Sequence, residues 1–338
     1  MSDTPVEPID FDGIASSVPA STISAVGFED QELGRRLAQT VANVIRTLGK
    51  VMRLERLDGV TIAVDYEAAL RDLDRGFVAS KPLRVTNHTS IGVAMTPAVI
   101  RDGQIRAHIV FRAVAIQALL DPACPGFQDS LYVIAHECAH VQELAQRDTA
   151  MPGSILKQGY TGHEDRILGE PAVSMLCEYV VCVLSARFGD ERMADSYRQS
   201  FLGTFEGHRE VVRQAIISYR THGDLGRLLN DVLDTLINPL RMAAYLAGHL
   251  DGMGLDAVAE FQKLVGDDQK FLARVTEMIT ALRELGDNPA TWISPAIYEP
   301  LRRVVRQALE DGGIFLSTME NGGLYVDVPV TPETVPHD

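Results

Sequence analysis

The chain has 338 residues, a formal net charge of −15 at pH 7 and a hydrophobic fraction of 46%, which is typical of a soluble globular protein with one large domain or two smaller ones. This acidic charge argues against nucleic acid or an anionic membrane as a partner. The N-terminal residues contain no apolar signal-peptide core, no apolar run is long enough to span a bilayer, and the four cysteines form no CxxC pair. We therefore expect a cytoplasmic protein with free thiols.

The N-terminal half is predicted to combine helices with a small sheet. Residues 1–27 are rich in Pro, Ser, Asp and Thr and are predicted to form an irregular arm. The elements expected after the arm are a helix over Asp30–Leu57, a strand over Gly59–Val64, a helix over Tyr66–Phe77 and two strands over Ser90–Ile100 and Ile105–Val114. The dipeptide Asp102-Gly103 between the last two strands predicts a hairpin turn.

A helix carrying the sequence HECAH follows the predicted sheet. It is expected to begin at Asp129 or Ser130, directly after Pro125-Gly126, and to end near Arg147. A glycine-rich connection then leads to a second helix, predicted from Glu170-Pro171 to about Phe188. Most of the remaining chain has helical periodicity, and its end is predicted to form a β-hairpin around Asn321-Gly322-Gly323.

The HECAH sequence has the spacing of a metal-binding motif. His136 and His140 are four residues apart, so both imidazoles face the same side of a helix and could bind one ion. The preceding sequence LYVIA is apolar, which predicts that this helix is largely buried. Two buried histidines with a buried glutamate need a common partner, and this favours a metal site over a surface helix with incidental histidines.

The motif and the order of elements together resemble the HExxH zinc metallopeptidases, the zincins. The resemblance covers roughly residues 58–188 and rests on His136-Glu137-Cys138-Ala139-His140 and on a sheet that precedes this helix. It implies an α+β fold with a small, mostly antiparallel sheet packed on the motif helix, and a third zinc ligand from a later helix. The expected organisation is an arm over 1–27, a metal-binding core over 28–189 and a mainly helical region over 190–338.

The third ligand is expected to be a glutamate. The metzincin pattern HExxHxxGxxH is excluded, because Glu143 and Gln146 stand where it requires Gly and His. Glu178 lies within the apolar sequence VSMLCEYVVCVLSA, where an isolated carboxylate is costly to bury unless it is paired, protonated or bound to a metal. We therefore predict one Zn²⁺ per chain held by His136, His140 and Glu178, as in a gluzincin. The alternatives are Glu170, then His163 or Asp165.

Two further residues are predicted to be catalytic. Glu137 is the candidate general base, which would take a proton from the metal-bound water and pass it to the leaving amine. His249, with Tyr245 one helical turn before it, is the candidate donor to the oxyanion. Cys138 is about 200° around the helix from each histidine and is predicted to be a core residue rather than a ligand.

Two functions follow from these residues. The first is a zinc-dependent peptidase, a hydrolase of narrow intracellular specificity that acts on a protein or peptide. The second is a catalytically inactive, metal-stabilised module that binds or regulates a protein. Glu137 favours the first, because a purely structural metal site has no use for a carboxylate beside an open coordination position. The sequence indicates neither the substrate nor the oligomeric state.

Overall fold

The computed structural model of the protein describes residues 13–79, 83, 92–156 and 159–335. Mutual contacts divide these residues into two compact units, one up to Ala145 and the other from Gln146 onward. The division falls inside a helix, whereas the sequence placed the boundary between residues 189 and 190. The difference arises because the helix that contains Glu178 packs among the C-terminal helices rather than belonging to the first unit.

The first unit contains a five-stranded mixed sheet. Its strands are β1 (Thr22–Val26), β2 (Leu57–Ala63), β3 (Ala94–Met95), β4 (Ala98–Arg101) and β5 (Gln104–Arg112). The order is β1-β2-β5-β3, with β4 also paired to β5. β2 is parallel to both β1 and β5, and β3 and β4 are antiparallel to β5. The expectation of a mostly antiparallel sheet is therefore wrong, whereas the mixed α+β class is confirmed.

The sheet forms because its central strand β5 is apolar on both faces, and both faces are buried. In β5, Ala107, Ile109, Val110 and Phe111 are all completely buried. The helices of this unit are α1 (Gln31–Leu48), α2 (Tyr66–Asp72), α3 (Ala113–Ile116) and the first part of α4 (Phe127–Ala150). α1 connects the parallel strands β1 and β2, as a parallel pair requires. The predicted Asp102-Gly103 turn is confirmed, since both residues have positive φ angles between β4 and β5.

The second unit is mainly helical. Its helices are α5 (His163–Ser185), α6 (Glu191–Phe205), α7 (His208–His222), α8 (Leu225–Gly252), α9 (Ala257–Leu264), α10 (Gln269–Asp287) and α11 (Glu299–Asp311). Strands β6 (Phe315–Thr318) and β7 (Leu324–Asp327) form the predicted C-terminal hairpin. α5 and α8 have the most extensive contact between any two of its helices. Aspartates at positions 190, 224, 256 and 268 cap four of the helices by accepting hydrogen bonds from N–H groups of the first turn.

Several predicted boundaries are wrong. β1 lies within the predicted irregular arm, whose residues 1–12 are outside the described residues. α4 begins at Phe127, because the Ser130 hydroxyl donates to the Ala115 carbonyl (3.0 Å) instead of capping the helix. α5 begins at His163 rather than at Glu170, so Pro171 lies in its interior. The predicted strand over Ser90–Ile100 is shorter as well, and Ser90 and Ile91 lie outside the described residues.

One stretch in the described part of the chain, His163–Phe188, is long and apolar enough to cross a membrane by length and composition alone. Some 56% of its most apolar window is buried within the protein. A core helix of a soluble protein meets the same criterion, and α5 packs along α8 in this way. The cytoplasmic location stays a prediction.

Candidate metal centre

The two histidines of the motif lie on the same face of α4. The ring centroids of His136 and His140 are 5.0 Å apart, with the ring planes at 81°. This is the juxtaposition that a spacing of four residues predicts for an α-helix. Both residues are partly buried.

Glu178 completes a group of three potential metal ligands. One ring nitrogen from each of His136 and His140 and one carboxylate oxygen of Glu178 all lie within 4.8 Å of one another. Among the described His, Cys, Asp and Glu residues, this is the one group of three or more that could hold a metal ion. In a tetrahedral zinc site, with ligand bonds of about 2.1 Å, neighbouring ligand atoms are about 3.4 Å apart.

The donor set fits a zinc ion with one open position. Two imidazoles and one carboxylate supply three nitrogen or oxygen ligands, and catalytic zinc sites commonly keep a fourth position for water. The arrangement shows that a metal could be held, and imidazole ligands also suit other transition metals. These three ligands therefore do not by themselves distinguish zinc from those metals.

Glu137 is buried and held by a hydrogen bond. Glu137 is only 7% exposed, and the Thr96 hydroxyl donates a hydrogen bond of 2.6 Å to its Oε2. Thr96 lies between β3 and β4, so the sheet of the first unit fixes this carboxylate. The structure thus confirms the burial of Glu137 and gives it one defined orientation.

Tyr66 is the second polar neighbour of Glu137. It is 1% exposed, and the Arg112 guanidinium lies 5.1 Å from the centre of its ring. Burial raises the pKa of the Tyr66 phenol above its usual range, and the charge of Glu137 raises it further. Tyr66 is therefore a neutral phenol near neutral pH. Neither Thr96 nor Tyr66 carries a sequence signal of this role, because each meets Glu137 only through the tertiary fold.

The alternative third ligands occupy other surroundings. Glu170 and His163 are exposed on α5. Asp165 accepts hydrogen bonds from the backbone N–H and hydroxyl of Thr161 and pairs with Arg302. None of the three joins a potential metal-binding group among the described residues, which leaves Glu178 as the third potential ligand near the two histidines.

His249 lies in the interior of the second unit. It is completely buried on α8, and its ring centroid is 5.5 Å from that of Tyr197. Its role as a donor to the oxyanion stays a prediction. Tyr245, one turn earlier, hydrogen-bonds Glu178. Sequence reasoning paired Tyr245 with His249 as an oxyanion donor and missed this contact.

Cys138 lies away from the cluster. It is completely buried and is absent from the group of potential ligands. Burial raises the pKa of its thiol far above the usual range, and the neighbouring Glu137 adds to the shift. A thiol that stays protonated is a poor metal ligand, in agreement with its predicted role as a core residue.

Comparison of the chain with protein-family models, with curated proteins and with solved structures found no match. The residues of the site themselves indicate which chemistry is available to it. These offer three potential ligands, an adjacent buried carboxylate held by Thr96, and a buried phenol near that carboxylate. Such a set could bind a metal ion, position a water molecule and accept a proton from it.

Proposed function

We propose that the protein is a zinc-dependent peptidase of the zincin type, with His136, His140 and Glu178 as ligands and Glu137 as general base. The observation that carries the proposal is the convergence of the three ligand atoms within 4.8 Å beside a buried glutamate. The order of a mixed sheet followed by α4 and then by α5, which supplies the glutamate, supports a zincin-like core.

The residues of the site have distinct roles in this mechanism. The two imidazoles and the Glu178 carboxylate hold the ion, and zinc in such a site supplies a Lewis acid and lowers the pKa of a bound water toward about 7. Glu137 accepts the proton of the attacking water and returns it to the leaving amine. The hydrogen bond from Thr96 occupies Oε2 of Glu137 and leaves Oε1 to receive the proton.

Glu137 also favours an enzyme over a structural metal site. A site that only stabilises the fold closes its coordination shell with protein ligands. Here the described residues supply three ligands, and the residue between the two histidines is a buried carboxylate, whose burial costs free energy and which a purely structural metal site would not need. We infer that the open position is used by water and substrate.

The substrate is proposed to be an intracellular protein or peptide, and the specificity to be narrow. The acidic chain, with its net charge of −15, would be repelled by other strongly acidic polymers. The alternative function is a metal-stabilised protein-binding or regulatory module. It would require the same three ligands but no general base, so Glu137 is the residue that distinguishes the two.

The test compares the wild type with Glu137→Gln in cells that produce the protein. The variant should keep its fold and about one zinc per chain, because Glu137 is not a ligand. Loss of a general base typically costs about 10²–10⁴-fold in rate, so a protein fragment made by the wild type should be missing. The variant should also retain the intact substrate when it is isolated.

Glu170→Gln is the matched control, since it makes the same chemical change at an exposed position of α5. It should behave as the wild type does. If the wild type and Glu137→Gln yield the same proteome and bind the same partners equally well, the protein is not a peptidase. The metal-stabilised binding module would then be the better account.

A further inference from the structure

The helices α5 and α8 approach each other unusually closely beside Glu178. A Cβ atom on Gly248 would lie 2.4 Å from the carbonyl oxygen of Tyr179 and 2.9 Å from the Cβ of Cys182. One turn later, a Cβ atom on Gly252 would lie 2.6 Å from the Cβ of Ala186. The two backbones are therefore in direct contact, and side chains of α8 near Gly248 are fixed relative to Glu178 on α5.

Tyr245 uses this contact to reach the metal ligand. It is 8% exposed, and its phenol hydrogen-bonds the Glu178 carboxylate. A tyrosine phenol is protonated near neutral pH and a carboxylate has no proton to give, so Tyr245 is the donor in this hydrogen bond.

We propose that Tyr245 is the positioning residue of Glu178, holding one oxygen of the carboxylate so that the other faces the metal ion. A single O–H can engage one carboxylate oxygen, and each ligand needs to offer only one atom to the group. Removing a residue that hydrogen-bonds a metal ligand typically lowers the metal affinity about 10–100-fold, because such a residue orients the ligand and limits its alternative conformations.

The inference rests on the proposed metal site and does not depend on hydrolysis. A binding module with the same three ligands would need Glu178 oriented in the same way. Tyr245 then orients a metal ligand, whereas the sequence analysis paired it with His249 as a donor to the oxyanion. A phenol that hydrogen-bonds the Glu178 carboxylate orients this metal ligand before any substrate binds.

Tyr197 offers a matched control in the same layer of side chains. Its ring centroid is 5.8 Å from that of Tyr245 and 5.5 Å from that of His249. The Sγ of Cys182 is 3.6 Å from its hydroxyl and donates to it. Tyr197→Phe therefore removes one phenol hydroxyl, with the same loss of atoms as Tyr245→Phe, from a side chain that lies beside Tyr245 and is not one of the three potential metal ligands.

The experiment measures zinc affinity by competition with a chelator of known affinity, using the full chain and no peptide. Tyr245→Phe should weaken zinc binding about 10–100-fold, and Tyr197→Phe should change it less than about 3-fold. In a Glu178→Ala background, Tyr245→Phe should have no further effect, because the two residues act through one hydrogen bond. The visible spectrum of the cobalt-substituted protein should change in Tyr245→Phe and not in Tyr197→Phe.

Thermal unfolding of the metal-free proteins separates positioning from a general loss of packing. Metal-free Tyr245→Phe and Tyr197→Phe should unfold at similar temperatures. Unchanged zinc affinity in Tyr245→Phe, or an equal loss in both variants, would overturn the inference. Reduced zinc affinity in Tyr245→Phe without any peptidase activity in the wild type would leave the inference standing and remove the proposed hydrolysis. A wild type that binds no zinc would overturn both.

Discussion

The hydroxyl of Thr96 donates a hydrogen bond of 2.6 Å to Oε2 of Glu137. The two residues are 41 positions apart, and the contact joins the segment between β3 and β4 to α4. The same hydroxyl is also 3.3 Å from the backbone carbonyl oxygen of Glu137. A carboxylate held in this way has fewer orientations to lose when it engages a water molecule.

Replacing Thr96 by valine should therefore reduce hydrolysis without removing the metal. Valine has nearly the same shape as threonine but no hydroxyl. We expect the rate of fragment production to fall about 10–100-fold, because the base is no longer aligned, and the zinc content to stay near one per chain. Thr96→Ser, which keeps the donor, should recover most of the rate. Equal rates in the valine and serine variants would show that the hydrogen bond has no role in the reaction.

A substitution at Gly248 tests the close approach of the α5 and α8 backbones. Gly248→Ala should lower the free energy of unfolding by about 1–3 kcal/mol, because the new Cβ overlaps backbone atoms of α5 that cannot rotate away. Gly203→Ala is the control. Gly203 lies within α6 and its added Cβ would meet no atom within 4 Å, so alanine should stabilise the protein by about 0.5–1 kcal/mol. Chemical denaturation of both variants measures the difference, and equal effects would refute the close approach.

His208 should make stability depend on pH in the acid range. Burial lowers its pKa in the folded state, and Arg209 lowers it too, against the opposing effects of the Phe205 carbonyl and Asp268. The unfolded chain therefore binds the proton first, at its ordinary pKa of about 6.5. The contribution of neutral His208 is fully present above that pH and is lost as the pH falls through it toward the lower folded-state pKa.

The comparison is between the wild type and His208→Asn, whose amide can still donate to the Phe205 carbonyl that now accepts from Nδ1. Denaturation between pH 7.5 and about 5 should show a steeper loss of stability in the wild type. Identical slopes would mean that His208 titrates alike in the folded and unfolded chains.

Replacing Cys138 tests whether its side chain lies on the face of α4 opposite the two histidines. Cys138→Ala should leave the zinc content unchanged and lower the free energy of unfolding by about 1 kcal/mol, the usual size for a small truncation in a core. Its thiol, which is buried and has a raised pKa, should react with alkylating reagents only after unfolding. A metal-free Cys138→Ala protein would contradict the orientation described for this helix.

The features that sequence alone predicted are those set by local periodicity. The spacing of His136 and His140 fixes their common face on any α-helix, and the apolar surroundings of Glu178 identify a carboxylate that needs a partner. The Asp102-Gly103 turn was predictable because its backbone angles are unfavourable for most other residues. Each of these signals is complete within a few residues of the chain.

The missed features are all set by contacts between distant segments. β1 is a strand of only five residues that pairs in parallel with β2, and a parallel pairing leaves no turn signal in the sequence. α5 extends back to His163 although Pro171 interrupts its pattern, since Glu164 and Asp165 in its first turn pair with Arg306 and Arg302 of α11. The contacts of Thr96 with Glu137 and of Tyr245 with Glu178 depend on the same kind of long-range packing.

The central claim is that Glu178 is the third ligand of a zinc ion held by His136 and His140, and metal analysis tests it directly. Purified wild type and Glu170→Ala should each contain about one zinc per chain, because Glu170 is exposed and outside the group. Glu178→Ala should contain well below one. Loss of zinc from Glu170→Ala alone, an equal loss from both variants, or a wild type without bound metal would contradict the account.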